Sequence, residues 1–417
     1  NDLCLDRGGT ELMEVFEGKT WISRQGLVNT CVGVSEGKIV SVKKILKGDK
    51  HTVTDGIILP AGLDMHVHFR DPGYPHKEDW KSGSQSAACG GVTAVVDMPN
   101  TNPFTSNVET FNEKVSLASS KSLVDFGVGM NVEEGLTSKS WFDTIPSAFW
   151  KLYPYGVSSE QYFDLATEVL KKTSKPLVIH GEHPDHMHNQ PLHKLSDHTQ
   201  SRSRAESECL SAMPSSEKLH VAHLSSLEGL RCMPESATSE VCPHHLLLSL
   251  DSCASLDCKV DPPLRSRNDN NGLYEAFREG SIPILASDHA PHTIEEKRSE
   301  APPSGIPGVE TMIPLMLNEV SAGRLDLGRL VNAMSEAPAS RLGLERGKIA
   351  EGFTADFIVV NLKQVDPIDV DALHSRASWT PYQDWPAVFP SSVYRRGDLI
   401  SHNQEPIGTG GGQHLFG

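Results

Sequence analysis

The sequence predicts an α/β protein: a (β/α)8 TIM-type barrel with a small β-sandwich domain built from both termini. The first observation is that eight short apolar runs alternate with helix-like stretches between residues 58 and 345. The second is that short strand-like runs, separated by turns, occupy both flanks of this region. Eight β/α repeats within one such length are what a barrel of this type requires.

The barrel prediction depends on the apolar runs. They lie at residues 57–69, 93–98, 124–130, 148–153, 177–180, 219–223, 240–242 and 282–286. Helix-like patterns lie between them, for example at 159–172, 203–212 and 272–279. Alternation of the two patterns is typical of βα units that build a parallel sheet.

The two flanks predict one composite β domain. Short runs bounded by Gly and Asp occur before residue 57, and similar runs occur after residue 346. We therefore assign 1–57 and 346–417 to a β-sandwich and 58–345 to the barrel. The glycine-rich stretch 408–412 is expected to be flexible.

Composition excludes several classes of protein. The chain has 54 acidic and 38 basic residues, a formal net charge of −16, and no basic run of the kind a nucleic-acid binder needs. No apolar run approaches the ~18 residues of a membrane span. The acidic start lacks the pattern of a secretory signal, and the eight cysteines form no CxxC pair. We expect a soluble, cytoplasmic protein with reduced thiols.

Metal-ligating residues close four of the predicted strands. His66 and His68 end the first, and alternation places both imidazoles on the same side of it. His180, His223 and Asp288 end three later runs. The carboxyl ends of barrel strands carry the active site, so the five side chains are expected to converge. Their donor types suit zinc, and their number suits two ions.

Lys151 interrupts the apolar run 148–153, where an unpaired ammonium is costly. One interpretation is a lysine that extends its amine from the edge of the strand to water. The other is a buried, neutral amine that reacts with carbon dioxide to give a carbamate, a carboxylate able to bridge two cations.

The chain resembles the cyclic amidohydrolases in its motifs. GLDMHVHFRDPG at 62–73 is similar to their metal-binding signature. Further motifs resemble those of the dihydroorotases, including the dihydroorotase domain of the animal multifunctional pyrimidine protein. They are GGVTAVVDMPNT at 90–101, PHHLLL at 243–248, PPLRSR at 262–267, SDHAPH at 287–292, TIEEK at 293–297, PGVETMIP at 307–314 and GKIAEGFTAD at 347–356.

The resemblance implies a centre of two zinc ions. Its ligands would be His66, His68, Lys151, His180, His223 and Asp288. Lys151 would be N6-carboxylated and would bridge the ions, while Asp288 would accept a proton from the attacking water and pass it to the leaving nitrogen. Glu240 matches a position that binds an extra metal in some relatives, and support of the ligands is the favoured role here.

The resemblance also implies a carboxylate-binding set formed by Arg70, Asn100 and His292. Arg70 lies two residues beyond His68, where a guanidinium can grip a carboxylate with two hydrogen bonds. The alternative for Arg70 is a surface salt bridge. Asp261 departs from the family pattern and would be expected to weaken anion binding.

The function implied is zinc-dependent, reversible cyclisation of N-carbamoyl-L-aspartate to L-dihydroorotate in pyrimidine synthesis. One alternative is an allantoinase or hydantoinase, and Arg70 is the residue that distinguishes the two, since allantoinases usually carry Asn at this position. Another is an inactive scaffold for aspartate carbamoyltransferase. A homodimer, and association of an active enzyme with that same partner, are further expectations from the family. We also expect a lid at 154–160, and a solvated, ligand-free loop for the histidines within 182–198.

Overall fold

The computed structural model describes residues 12–187, 194–253 and 255–417. Its strands are β1 (Glu14–Ile22), β2 (Gly26–Ser35), β3 (Lys38–Lys43), β4 (Lys50–Pro60), β5 (Gly62–Val67), β6 (Val92–Asp97), β7 (Asp125–Val128), β8 (Met130–Asn131), β9 (Trp150–Leu152), β10 (Leu177–His180), β11 (Leu219–Ala222), β12 (Thr238–Val241), β13 (Ile284–Leu285), β14 (Phe357–Val360), β15 (Asp366–Pro367), β16 (Pro386–Ala387), β17 (Ser392–Arg395), β18 (Asp398–His402) and β19 (Glu405–Pro406).

The helices lie mostly between the barrel strands. They are α1 (Trp80–Cys89), α2 (Val108–Lys121), α3 (Ser159–Lys172), α4 (Leu195–Ser201), α5 (Ala205–Ala212), α6 (Leu227–Arg231), α7 (Pro243–Leu247), α8 (Arg267–Glu279), α9 (Ile294–Lys297), α10 (Val309–Ser321), α11 (Leu327–Val331) and α12 (Ala337–Arg341). Single 3₁₀ turns cover Leu136–Ser138, Pro184–His186, Leu256–Cys258 and Val370–Ala372, and a π-helical turn covers Asn332–Glu336.

The strands β5 to β13 form the predicted barrel, and every apolar run named above contains or overlaps one of them. Neighbours are parallel, and β7 and β8 are one chain segment interrupted at Gly129. The ladder falls into two hydrogen-bonded arcs, β5 to β7 and β8 to β13, so it is not closed. An isolated bridge between Val67 and His289 joins the ends of the two arcs.

The C-terminal tail explains one interruption of the ladder. The backbone N–H of Phe126 in β7 donates to the carbonyl of Gln413 at 2.9 Å, and Leu415 donates back to Phe126 at 2.8 Å. Leu415 and Phe416 pack against the apolar cluster inside the barrel. A Cβ on Gly412 would meet the carbonyl of Val124 at 2.1 Å, so the glycine permits this close approach. The tail is therefore bonded to a strand edge directly after the glycine-rich stretch, and flexibility of 408–412 itself stays a prediction.

Both flanks of the chain contribute to one eight-stranded sheet, in the order β19-β18-β17-β14-β4-β1-β2-β3. β1 and β4 are parallel, and β14 pairs antiparallel with β4, so N-terminal and C-terminal strands meet at the centre. Phe16, Ile58 and Phe357 are buried in its core. The sequence predicts a sandwich for this composite domain. In the structure, hydrogen bonds join its eight strands in a single sheet. The division at residues 57 and 346 stays a prediction.

A disulfide joins Cys253 and Cys258, with their Cα atoms 6.4 Å apart. The expectation that the cysteines are reduced thiols is wrong for this pair, because the turn between α7 and the segment before Pro262 brings the two sulfurs together. Cys31, Cys89 and Cys242 are buried free thiols. Within the described ranges, none of the helices is both long and apolar enough to cross a membrane.

Candidate metal centre

The six residues predicted as metal ligands lie at the carboxyl ends of the barrel strands. They are His66, His68, Lys151, His180, His223 and Asp288. Two belong to the end of β5, and the others to β9, β10, the residue after β11 and the segment after β13. All six are buried, and all six line one cavity of about 110 Å³. The structure therefore brings the complete predicted set together.

Asp288 connects the two histidines of β5. Its Oδ1 lies 3.2 Å from Nε2 of His66 and 3.1 Å from Nε2 of His68. These three side chains form a group whose ligand atoms lie within 4.8 Å of one another. Burial and the charge of Arg70 lower the pKa of His68 to about 3, so its ring is neutral and can offer a lone pair.

The second pair of histidines adjoins the first. The ring centroid of His223 lies 5.2 Å from that of His66 and 4.6 Å from that of His180. Within the described part of the chain, Nδ1 of His223 is buried and has no hydrogen-bond partner. A buried ring nitrogen without a partner indicates a ligand that the protein alone does not supply.

Lys151 lines the same cavity as the two pairs and is fully buried. Its Nζ makes no hydrogen bond to any of the residues that the structure describes. Burial lowers the pKa of this amine to about 8, although the carboxylates of Glu240 and Asp288 act to raise it. Because the whole side chain is buried, the interpretation as a lysine extending to water is wrong.

Glu240 on β12 orients the imidazole of His66. Its carboxylate accepts from Nδ1 of His66, lies 3.2 Å from Nε2 of His220 and accepts from the backbone N–H of His223 at 3.4 Å. Burial disfavours its ionised form, but His66 and His220 hold its pKa well below the usual range. A carboxylate that fixes one ring nitrogen leaves the other for a metal, which matches the supporting role favoured above.

Glu182 orients the imidazole of His180, and this role of Glu182 was not predicted from the sequence. Nε2 of His180 donates to Glu182 at 2.7 Å, and Arg202 donates to the same carboxylate oxygen at 2.9 Å. Nδ1 of His180 therefore remains for a ligand. The available signal was a carboxylate two residues beyond a strand-ending histidine.

Asp261 also lines the cavity, but its charge is already paired. Its carboxylate lies 2.7 Å from Nε2 of His198 and 3.4 Å from Arg202, and it accepts from the hydroxyl of Tyr155 at 3.2 Å. The concern that Asp261 weakens anion binding is therefore reduced. His198 is buried, so the expectation of a solvated loop is wrong for this residue. The same expectation for His188 and His193 lies outside the described residues.

The segment predicted as a lid borders the cavity. Tyr155 lines it, and its ring lies 5.6 Å from that of His180. Gly156 adopts a left-handed conformation with φ of 73°. Asn100, Tyr153 and Tyr155 also line a wider cleft of about 720 Å³. The closing motion itself stays a prediction.

Of the three predicted carboxylate-binding residues, two line the cavity and the third contacts one of them. Arg70 and Asn100 line the cavity with the candidate ligands. Asn100 accepts from Nδ1 of His68 through its Oδ1 at 2.7 Å, which leaves its NH₂ group free to donate. His292 reaches the site through Arg70, whose Nη2 lies 3.0 Å from Nε2 of His292. Lys77 lies 3.2 Å from the other ring nitrogen of His292.

Three residues of the site have a strained backbone. Arg70, His223 and Asp288 have φ of 63°, 39° and 46°, a region that side chains other than glycine rarely adopt. Asp64, which sequence reasoning missed, braces one of these turns. Its buried carboxylate accepts from the backbone N–H groups of His66 and Ser287, both at 3.1 Å. Strain of this kind concentrates at functional sites, where surrounding contacts hold it in place.

Comparisons with known proteins agree with this geometry. Residues 57–399 match the sequence model of the amidohydrolase family. The dihydroorotase of Methanosarcina acetivorans is 35% identical over 430 residues, which cover 92% of this chain and 91% of that protein. The dihydroorotase of Archaeoglobus fulgidus is 34% identical over 411 residues, covering 95% and 98%.

A solved structure shows the same fold. The L-hydantoinase (dihydropyrimidinase) from Arthrobacter aurescens aligns with a TM-score of 0.87 over 97% of this chain and 100% of its own, at 23% identity. At that identity the likeness concerns the fold. The match to the family model and the curated relatives together show that the chain belongs to the amidohydrolase family.

Proposed function

We propose that the protein is a dihydroorotase, which interconverts L-dihydroorotate and N-carbamoyl-L-aspartate by opening and closing a cyclic amide. The observation that carries this proposal is the position of Arg70, which opens onto the same 110 Å³ cavity as the six candidate ligands. Dihydroorotate has a carboxylate beside its cyclic amide, so it needs a cationic partner next to the reacting centre. The dihydroorotase relatives at 34–35% identity support this assignment.

The residues present fit two zinc ions. His66, His68 and Asp288 would hold one ion, while His180 and His223 would hold the other. The buried amine of Lys151 and the buried Nδ1 of His223, both without partners among the described residues, support this placement. Carboxylated on Nζ, Lys151 would supply an oxygen to each ion and so join the two.

When bound, two such ions make water nucleophilic at neutral pH and polarise the carbonyl group that it attacks. The chain's own contribution is orientation and proton transfer. Asp288 accepts the proton of the attacking water and donates it to the ring nitrogen as the carbon–nitrogen bond breaks. In the direction of ring closure, Asp288 first accepts a proton from the carbamoyl nitrogen, and the same steps follow in reverse.

Arg70 and Asn100 bind the substrate carboxylate in this proposal. Arg70 offers two parallel N–H donors, and the free NH₂ group of Asn100 offers a third. His292, whose ring nitrogens contact Arg70 and Lys77, positions the guanidinium for the anion. Holding this carboxylate fixes the scissile amide against the ligand cluster, which is where orientation accelerates the reaction.

Two alternatives are less well supported. A hydantoinase or allantoinase acts on an uncharged ring, which would leave Arg70 without an anionic partner, and the hydantoinase likeness at 23% identity concerns the fold. An inactive scaffold would not need all six candidate ligands and their supporting carboxylates, which this chain retains. Homodimer formation, cytoplasmic location and association with aspartate carbamoyltransferase are part of the proposal and rest on the family resemblance. Sedimentation of the purified protein, alone and with that enzyme, tests the two associations.

The decisive experiment is ring opening of L-dihydroorotate by purified, zinc-supplied protein, with allantoin and hydantoin assayed under identical conditions. We expect turnover of dihydroorotate alone. Turnover of either uncharged ring with none of dihydroorotate would contradict the carboxylate-binding role of Arg70. Absence of all three activities in protein that holds two zinc ions would favour the scaffold.

A further inference from the structure

A second group of metal-ligating side chains lies on the turn that follows β12. Cys242 is the residue before α7, and His244 and His245 lie in the first turn of that helix. Their relative exposures are 0%, 2% and 3%. One ligand atom from each residue lies within 4.8 Å of the other two, and the two ring centroids are 4.3 Å apart. Binding of zinc would draw the three atoms closer, to zinc distances of about 2.0 to 2.3 Å.

Two ring nitrogens in this group lack the partners that burial demands. Nε2 of His244 and Nδ1 of His245 are buried and accept or donate no hydrogen bond anywhere in the described ranges. His245 donates from Nε2 to the carbonyl oxygen of Pro262 at 3.1 Å, so its Nδ1 carries the free lone pair. A backbone carbonyl that fixes one ring nitrogen while the other stays free is the usual arrangement of a metal-binding histidine.

The charges around the group also favour a cation. Burial lowers the pKa of His244 and His245, so both rings are neutral. Burial raises the pKa of the Cys242 thiol, and the carboxylates of Asp288 and Glu240 act in the same direction. Zinc binding would displace the thiol proton, so the thiolate would be the ligand.

A second Cys–His cluster provides the contrast. Cys89, Glu310 and His374 also place ligand atoms within 4.8 Å of one another. There Nδ1 of His374 and its backbone N–H both bond to Glu310 at 2.8 Å, and the hydroxyl of Ser401 donates to Cys89 at 3.6 Å. This cluster satisfies its own polar groups, so nothing in it calls for a metal.

We propose that Cys242, His244 and His245 bind one zinc ion, as a structural site separate from the proposed catalytic pair. The thiolate and two imidazoles are the soft and borderline donors that select zinc, and a water molecule completes four ligands. Through His245 and Pro262, the ion would tie the end of β12 to the segment that carries Asp261. The site shares no ligand with the proposed catalytic centre, so it can be tested separately from the proposed function.

Cobalt(II) tests the proposal, because a thiolate ligand gives cobalt a charge-transfer absorption in the near ultraviolet and the proposed catalytic pair contains no thiolate. We expect fully cobalt-loaded protein to show this absorption. Cys242→Ser should abolish it and lower the bound metal by one ion per chain. The matched control Cys89→Ser should keep both. Absence of the absorption in the loaded wild-type protein, or its persistence in Cys242→Ser, would overturn the proposal.

Two further variants guard against ambiguous results. Cys242→Ala removes the thiol without adding a polar group, so it serves if the serine variant does not fold. Lys151→Ala should lose the catalytic pair yet keep the cobalt–thiolate absorption. Loss of that absorption in a folded Lys151→Ala protein would contradict an independent site. Loss of dihydroorotate turnover with the absorption retained is the expected result, and it concerns the proposed catalytic centre only.

Discussion

The two halves of the candidate metal centre are held in different ways. His66 is oriented by Glu240, and both residues lie on strands of the hydrogen-bonded barrel. His180 is oriented by Glu182, which lies beyond the end of β10 and is paired with Arg202, the residue after α4. The barrel itself therefore fixes one half, and side chains on loops and short helices fix the other.

This difference matters for how each half tolerates change. We name each half after the position of its orienting carboxylate. The strand-held half consists of Glu240 on β12 with His66, His68 and Asp288, and the loop-held half consists of Glu182 with His180, His223, Arg202 and Asp261. Among the described residues, the carboxylates of Glu240 and Asp288 form ion pairs only with histidines. In the loop-held half, Arg202 contacts two carboxylates, so the loss of one leaves it paired with the other. The loop-held half should be the more adaptable of the two.

The largest effect is expected from Lys151→Ala, because Lys151 is the proposed ligand common to both halves. If its carboxylated form joins the two ions, the variant should lose most bound zinc from both halves, and turnover should fall to the uncatalysed level. Elemental analysis and the dihydroorotate assay measure the two quantities. Lys218→Ala, which changes a lysine at the opposite end of the barrel, is the control and should keep both. Retained zinc and rate in Lys151→Ala would contradict the bridging role.

Arg70→Asn separates substrate binding from the metal halves. The variant removes the proposed partner of the substrate carboxylate, and loss of one member of such a pair costs about 2 to 5 kcal/mol, or roughly 30-fold to several thousand-fold in kcat/KM. Zinc content should stay unchanged, because Arg70 is not among the proposed ligands. The exposed residue Arg278 offers a matched control in Arg278→Asn. An unaltered kcat/KM for dihydroorotate in Arg70→Asn would rule out binding of the substrate carboxylate by Arg70.

Substitution of the two orienting carboxylates compares the halves directly. Removing a group that orients a metal ligand typically lowers metal affinity by about 10- to 100-fold. We expect Glu240→Gln near the upper end, since Glu240 contacts His66, His220 and the backbone of His223. Glu182→Gln should lie near the lower end, because Arg202 retains Asp261. Competition with a chelator measures both affinities, and an equal or reversed order would remove the distinction between the halves.

Of the two orienting carboxylates, Glu240 was given its supporting role from the sequence, whereas Glu182 was not. Period-two alternation and strand-ending positions located His66 and His68, and the barrel rule placed them beside Asp288. The loop-held half was found in part, since Glu182 and the pairing of Asp261 with Arg202 depend on contacts between segments remote in sequence. The docked tail at Gln413 was missed for the same reason. The Cys253–Cys258 disulfide joins residues only five positions apart, and it was missed because the cysteines were expected to be reduced thiols. Local patterns specify strands and their faces, whereas loop contacts depend on the whole fold.

The smallest expected effect concerns the charge of Asp261. Burial acts to raise the pKa of this carboxyl, but the hydrogen bond from His198 and the charge of Arg202 hold it well below its usual range. A group with a depressed pKa stabilises the folded state above its unfolded value of about 3.8, and that contribution is lost as the pH falls. Asp261→Asn should therefore lower Tm by on the order of 1 to 3 °C at pH 7, and the difference from wild type should shrink below pH 4. Asp371→Asn, on an exposed turn, should give no such trend. A Tm difference that stayed constant with pH would mean that the ionised carboxylate contributes nothing to the loop-held half, and that the shape of the Asp261 side chain alone supports it.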